Sequence, residues 1–305
     1  MKLIKKILRF FILGLTFFFI ISTFRQHWQE IKDIQFTFFT LLMFIVSLIL
    51  NIIAHTFSAW VWTWILHIFQ TKLRGLKAIN IYLITNISKY LPGNVWHFFS
   101  RVKAIQAEGD SLSIATVSVI IEPLLMAVSA LLITLISASF GIINLSFTPL
   151  FLLIYSLIIA ILIGIHPKIM NPILSKLAKS KGSNESAKLT KYPLLPLFGE
   201  SLFLLLRGLA FLSVLIAFMP IKLTLIPQVL STFSFAWLLG LIVPGAPGGI
   251  GIFEATILAS FDSAIFPSQI VLVVIALFRI SSIFTELITA GFAVFANKYL
   301  LVKCL

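Results

Sequence analysis

Long apolar runs, separated by short polar interludes, cover most of the chain. Runs long enough to cross a bilayer, at about 20 residues each, fall at 7–24, 38–69, 112–140, 148–166, 195–219 and 268–297. Between Asp33 and Lys72 there is no Asp, Glu, Lys or Arg, so that run is overlong and calls for tilt or an interfacial stretch. Its Trp60, Trp62 and Trp64 suit a headgroup belt. Two further apolar stretches, 77–106 and 225–262, are interrupted by Leu91-Pro92-Gly93-Asn94 and by Val243-Pro244-Gly245-Ala246-Pro247-Gly248-Gly249. Irregular backbone at membrane depth is tolerated only where protein buries it or a wet cavity faces it. The pattern predicts an all-α polytopic membrane protein with about six spans and two re-entrant hairpins, the organisation of a transporter core rather than an anchor.

Composition agrees. The chain is 60% hydrophobic and 11% charged, against about 25% charged in a soluble domain, and its mean hydropathy is +1.10. The formal charge of +13 does not call for nucleic acid, because many basic residues cluster in loops as the positive-inside rule expects. Met1-Lys2-Leu3-Ile4-Lys5-Lys6 and the apolar run to Phe24 resemble a signal peptide's first regions. No small-x-small cleavage site follows, so an uncleaved first span is expected. Cys304, the one cysteine, forms no internal disulfide and does not fit a prenylation box.

Loop charges give the orientation. Lys2, Lys5, Lys6 and Arg9 place the N-terminus in the cytoplasm, balanced loop 25–33 lies outside, and Lys72, Arg74 and Lys77 lie inside. Uncharged loop 141–147 is outside, loop 166–192 with six lysines against Glu185 is inside, and Lys298 and Lys303 place the C-terminus inside. The alternation closes if 77–106 enters and leaves from the cytoplasm and 225–262 from outside. That makes an inverted pseudo-repeat of halves 1–166 and 194–305 around a cytoplasmic linker, 167–193. Residues 225–243 spanning alone is the other solution, with seven or eight spans. No soluble domain is expected after residue 300.

Charge inside a bilayer costs about 2.5–3.5 kcal/mol per group on insertion scales, so intramembrane charges mark candidate sites. The acids are Glu122, Glu200, Glu254 and Glu286; the bases are Arg101, Arg207 and Arg279. Glu200 and Arg207, like Arg279 and Glu286, lie seven apart, on one helix face but about 10 Å apart along the axis. Partners on other helices are therefore expected, and depth counting brings Arg207 near Glu286. Arg101 and Glu254 each follow a Pro-Gly break, where a half-helix would present unpaired N–H groups to a phosphate or carboxylate, with Arg101 as a bidentate partner. Gly248, Gly249 and Gly251 allow close backbone approach. For Glu122, a proton carrier and a counter-ion of Arg101 are both open readings. His55, His67 and His97 show no metal spacing and read as hydrogen-bonded interior or interfacial residues. No HExxH, P-loop, GxSxG or Ser–His–Asp set occurs, so neither an enzyme nor a cofactor or metal is predicted.

Lys89-Tyr90-Leu91-Pro92-Gly93-Asn94-Val95-Trp96-His97-Phe98-Phe99-Ser100-Arg101 and Pro244-Gly245-Ala246-Pro247-Gly248-Gly249-Ile250-Gly251-Ile252-Phe253-Glu254 resemble the two signatures of the lysylphosphatidylglycerol synthase transmembrane-region, or flippase-like, family. The resemblance covers about 35–300. It implies a domain that moves a lipid, such as an aminoacylated phosphatidylglycerol, between leaflets, with Arg101 and Glu254 as the functional pair. Pro92, Gly93, Asn94, Pro244, Gly245, Gly248, Gly249 and Gly251 join them as substrate-binding candidates; Glu122, Arg207, Arg279 and Glu286 form a relay or ion pairs. The soluble aminoacyl-transferase domain of the multiple peptide resistance factor has no counterpart here, so no synthase activity is implied. Asn94-Val95-Trp96-His97 resembles a subgroup whose partners are often cell-envelope glycan enzymes, which leaves a polyprenyl-linked or glycosylated lipid open. The expected function is a lipid translocase of the plasma membrane; the alternative is a non-transporting scaffold for a cell-envelope glycosyltransferase or lipid-modifying enzyme.

Overall fold

A computed structural model of the protein describes residues 36–91, 95–137, 148–180, 188–243 and 247–302. The expected first span at 7–24, loops 25–33 and 141–147, and Pro92, Gly93, Asn94, Pro244, Gly245 and Cys304 lie outside the described residues. The described residues are helical and hold no strand: α1 (Phe38–Ile68), α2 (Gly75–Asn86), α3 (Trp96–Ala107), α4 (Leu112–Ser137), α5 (Thr148–Gly164), α6 (Pro167–Ser180), α7 (Leu194–Ile216), α8 (Ile226–Ile242), α9 (Ile252–Ser260) and α10 (Ser268–Val302). Short 3₁₀ turns at Ile87–Tyr90 and Pro247–Gly249 flank the two breaks.

Among the described residues, five helices are long and apolar enough to cross a membrane, in α1, α4, α7, α8 with its preceding turn, and α10. A sixth arises if Tyr155–Gly164 and Pro167–Lys176, bent by 62°, count as one span. Residues 223–242 thus have the length of a span on their own, whereas α2 and α3, at 12 residues each, reach only about 18 Å.

The core is apolar but also takes in many polar residues, and the outer surface is rich in large exposed apolar side chains, unlike that of a soluble protein. Along α1, Ser47, Asn51, His55, Ser58 and Trp62 recur at steps of four, four, three and four, and all are buried. The opposite face exposes Leu41, Leu42, Ile45, Ile49, Ile53 and Trp60. A period near 3.6 places such residues on one stripe, so α1 turns its polar stripe inward and its aliphatic face to lipid. The expectation of a headgroup belt fails for Trp62, which is fully buried and lies 5.8 Å, ring to ring, from Tyr82. Residues two apart point to different sides of a helix, so Trp62 cannot share a surface with Trp60 and Trp64, whose rings meet at 5.4 Å.

α1 packs most extensively against α7. The register is antiparallel, since Asn51 meets Arg207 while Val61 and Trp64 close on Gly199. A β-carbon at Gly199 would lie 2.5 Å from Val61, so this crossing uses a small residue to bring two apolar helices together. The polar linker expected at 167–193 begins as the helix α6, and its far end is tied down. Asn171 bonds both backbone groups of Leu189, Thr190 donates to the carbonyl of Ile68, and Tyr192 donates to that of Leu162.

Candidate functional site

The ends of the first interrupted stretch meet. The Lys72 amide donates to Asp110 at 2.9 Å, its ammonium donates to the carbonyl of Gly109 at 3.0 Å, and Lys77 pairs with Glu108 at 2.7 Å. α2 and α3 are thus the two arms of a hairpin whose turn lies at the first break. α8 and α9 pack against each other across the second break. The two breaks touch, with the ring of Tyr90 against Gly248 and Lys89 reaching Glu286 on α10.

Between the hairpins lies a cavity of about 120 Å³, walled by both hairpins together with α1, α4, α7 and α10. Three ion pairs order its wall. Arg101 on α3, 1% exposed, donates from Nη1 to Glu122 Oε2 at 2.6 Å, from Nη2 to Asn86 at 3.3 Å and from Nε to Thr85 at 3.4 Å. Its guanidinium lies 3.6 Å from the Tyr82 ring centre. Tyr82 donates to Glu122 Oε1 at 2.6 Å and its hydroxyl lies 2.8 Å from that of Ser58. Both carboxylate oxygens of Glu122 are engaged, and Pro123, which follows it inside α4, breaks the local helical ladder by lacking an N–H. Tyr82→Phe leaves one of those buried oxygens without its donor. It should lower unfolding stability by about 1–3 kcal/mol, measured by denaturation in detergent.

The second pair staples the glycine break. Arg279 donates from Nε to Glu254 Oε1 at 2.6 Å and from its two terminal nitrogens to the carbonyls of Gly248 and Gly249 at 3.0 and 3.1 Å. The other oxygen of Glu254 accepts from the Gly251 amide at 2.6 Å, closing the first turn of α9. Gly248, Gly249 and Gly251 have φ of 59°, 71° and 90°, backbone that other residues avoid. The close approach they permit is taken up by protein at two of them, since Tyr90 fills the face of Gly248 and Gly240 that of Gly249. In the third pair, Lys89 reaches Glu286 Oε1 at 2.5 Å.

Of the candidates from sequence, Arg101, Glu122, Arg207, Gly248, Gly249, Arg279 and Glu286 line one cavity, whereas Glu254, Glu200 and Gly251 are not on its wall, and the pairs are not the expected ones. Arg101 and Glu254 do not meet; each holds its own partner, Glu122 and Arg279. Glu122 stands as the counter-ion of Arg101. Arg207 and Glu286 line the same cavity, as depth counting expects, but do not pair. Lys89 occupies that place, and Arg207 donates to Asn51 at 2.6 Å while packing 5.0 Å from the Phe278 ring centre. Glu200 is wholly buried, with no hydrogen-bond partner for either oxygen among the described residues. His55 and His97 line the cavity, each with one ring nitrogen that has no partner among the described residues, so within these the expectation of hydrogen-bonded interior histidines does not hold for those atoms. Sequence reasoning missed Lys89, Tyr82 and Asn86 as wall residues. Lys89 was visible, as a charge inside an apolar stretch directly before the Pro-Gly break, and the polar stripe of α1 was visible as a period.

No curated protein matches the chain. A sequence model of the family described as "Lysylphosphatidylglycerol synthase TM region" matches residues 6–289, and the chain belongs to that family.

Proposed function

We propose that the protein translocates a membrane lipid, whose headgroup passes through the cavity between the two breaks while its tails stay in the bilayer. The carrying observation is the cavity: a charged, open-mouthed chamber walled by both hairpins inside a molecule whose outer face is aliphatic. Buried charge at membrane depth is costly and marks pathways for polar cargo. The family's name supports a lipid as that cargo. On this reading the α2–α3 hairpin, too short in each arm to cross a core of about 30 Å, re-enters from the cytoplasmic side, and α8–α9 faces it with inverted orientation. The protein sits in the plasma membrane with both termini cytoplasmic and moves the lipid without altering it. The Lys89–Glu286 pair, with the lysine side chain 22% exposed, is the one that joins the first break to α10.

The test is reconstitution of the full chain into vesicles carrying fluorescent acyl-labelled lipids, with a membrane-impermeant quencher added outside. Labelled phosphatidylglycerol and labelled neutral glycosyl diacylglycerol are run separately. Transport leaves less protected fluorescence than protein-free vesicles for at least one lipid. Protection equal to that of empty vesicles for every lipid overturns the reading and passes the protein to the scaffold role, which a stoichiometric cell-envelope enzyme in a co-purification would then support.

A further inference from the structure

Four cations line the cavity, and three of them are matched. Lys89 holds Glu286, Arg101 holds Glu122, and Arg279 holds Glu254. The fourth is Arg207, 8% exposed, which has no carboxylate within pairing distance among the described residues. Among the described residues it makes one hydrogen bond, from Nη1 to Asn51, and its Nε has no partner there. A guanidinium carries five N–H donors in a planar fork, so most of the binding capacity of this group is idle. Glu200, on the same helix seven residues away, is about 10 Å distant along the axis and does not neutralise it. The Phe278 ring at 5.0 Å offers a cation–π contact, which satisfies no donor.

A buried cation without a counter-ion is expensive to keep. It is held here by a prepared setting. Asn51 fixes one terminal nitrogen and is itself bonded through its amide to Ser281 at 3.0 Å, while the aromatic floor of Phe278 packs against Phe211, Phe233 and Phe253. The fork is thus oriented on a cavity wall with no carboxylate in direct contact among the described residues; Glu286, whose charge acts on it across the cavity, is already held by Lys89. We propose that Arg207 is the site where the cavity receives a phosphate oxyanion, and that the missing counter-charge is the phosphate of the bound lipid. A fork matches two oxygens of one phosphate. Phosphodiester lipids, polyprenyl diphosphates and free phosphate all present that chemistry. The lipid sources rest on the translocation reading; the anion site does not.

The experiment is ligand-induced thermal stabilisation of the detergent-purified full chain, as wild type, Arg207→Gln and Arg207→Lys. The probes are short-chain phosphatidylglycerol, a short polyprenyl diphosphate, inorganic phosphate and, as the uncharged control, glycosyl diacylglycerol. Gln keeps a donor for Asn51 and removes the charge; Lys keeps the charge and removes the fork. At least one phosphate probe stabilises the wild type and binds Arg207→Gln about tenfold or more weakly, the loss of one good ionic contact. Arg207→Lys recovers part of that affinity, and the glycolipid is indifferent to both changes. The probe that shows this dependence identifies the source of the phosphate. Equal affinity of wild type and Arg207→Gln for every phosphate probe overturns the proposal, as does failure of all three to bind the wild type. Transport of a neutral lipid in vesicles beside either result would leave the translocation reading standing while the anion site falls; phosphate binding without any transport would do the reverse.

Discussion

Alanine at Arg101 will cost the folded protein about 3–5 kcal/mol, the penalty for leaving one member of a buried ion pair alone. Glu122 would lose the donor to Oε2 and sit as a carboxylate held by Tyr82 alone, 2% exposed. Arg101 also bonds Asn86 and Thr85 on α2, so its removal unties the two arms of the α2–α3 hairpin as well. The measurement is denaturant unfolding in detergent, with the double variant Arg101→Met, Glu122→Leu beside it. Removing both charges takes away the stranded carboxylate, and the double variant should recover most of the loss. An Arg101→Ala protein that is as stable as wild type, yet inactive, would contradict this and return Arg101 to the role of headgroup ligand. The distinction bears on any transport assay, because lost activity in the alanine variant alone reports a broken hairpin as readily as a lost binding group.

The class of fold was legible because composition and run length dominate at this level. A chain with 11% charged residues has too little polar surface for water, and the helices follow from there. The breaks were legible because proline and glycine interrupt helices for local reasons. Pairing was not, since partners are set by three-dimensional register. Counting depth set Arg207 near Glu286, and both do line the cavity, but the hairpin from 75 to 107 brings Lys89 to Glu286 and takes the pairing. Asn51 was overlooked for a related reason. An apolar run was scanned for formal charge, and a buried amide that orients an arginine carries none. The same stripe of α1 supplies Ser58 to the Tyr82–Glu122 network and His55 to the cavity wall, so one period in the sequence held several wall residues at once.

Gly249→Ala carries the second large effect, and it separates packing from backbone strain. With φ at 71°, any side chain pays about 1–2 kcal/mol for the left-handed region. The added β-carbon would also lie 2.9 Å from the Cα and 3.0 Å from the carbonyl oxygen of Gly240 on α8. Those are backbone atoms, which move only if the helix moves, and forced overpacking adds about 1–3 kcal/mol. A total of about 2–5 kcal/mol is expected. Gly75→Ala is the control for strain alone, since its φ is 59° but nothing lies within 4 Å of the new carbon. It should cost about 1–2 kcal/mol. Gly291→Ala, with equally open space and no such φ, should be neutral or gain up to about 1 kcal/mol from helix propensity. Unfolding of the three variants should therefore rank 249, then 75, then 291 in stability lost. Equal losses at 249 and 75 would mean that α8 yields freely, and the second break would be a soft hinge. The predicted order instead makes the Gly240–Gly249 contact a rigid seat for the carbonyls that Arg279 grips.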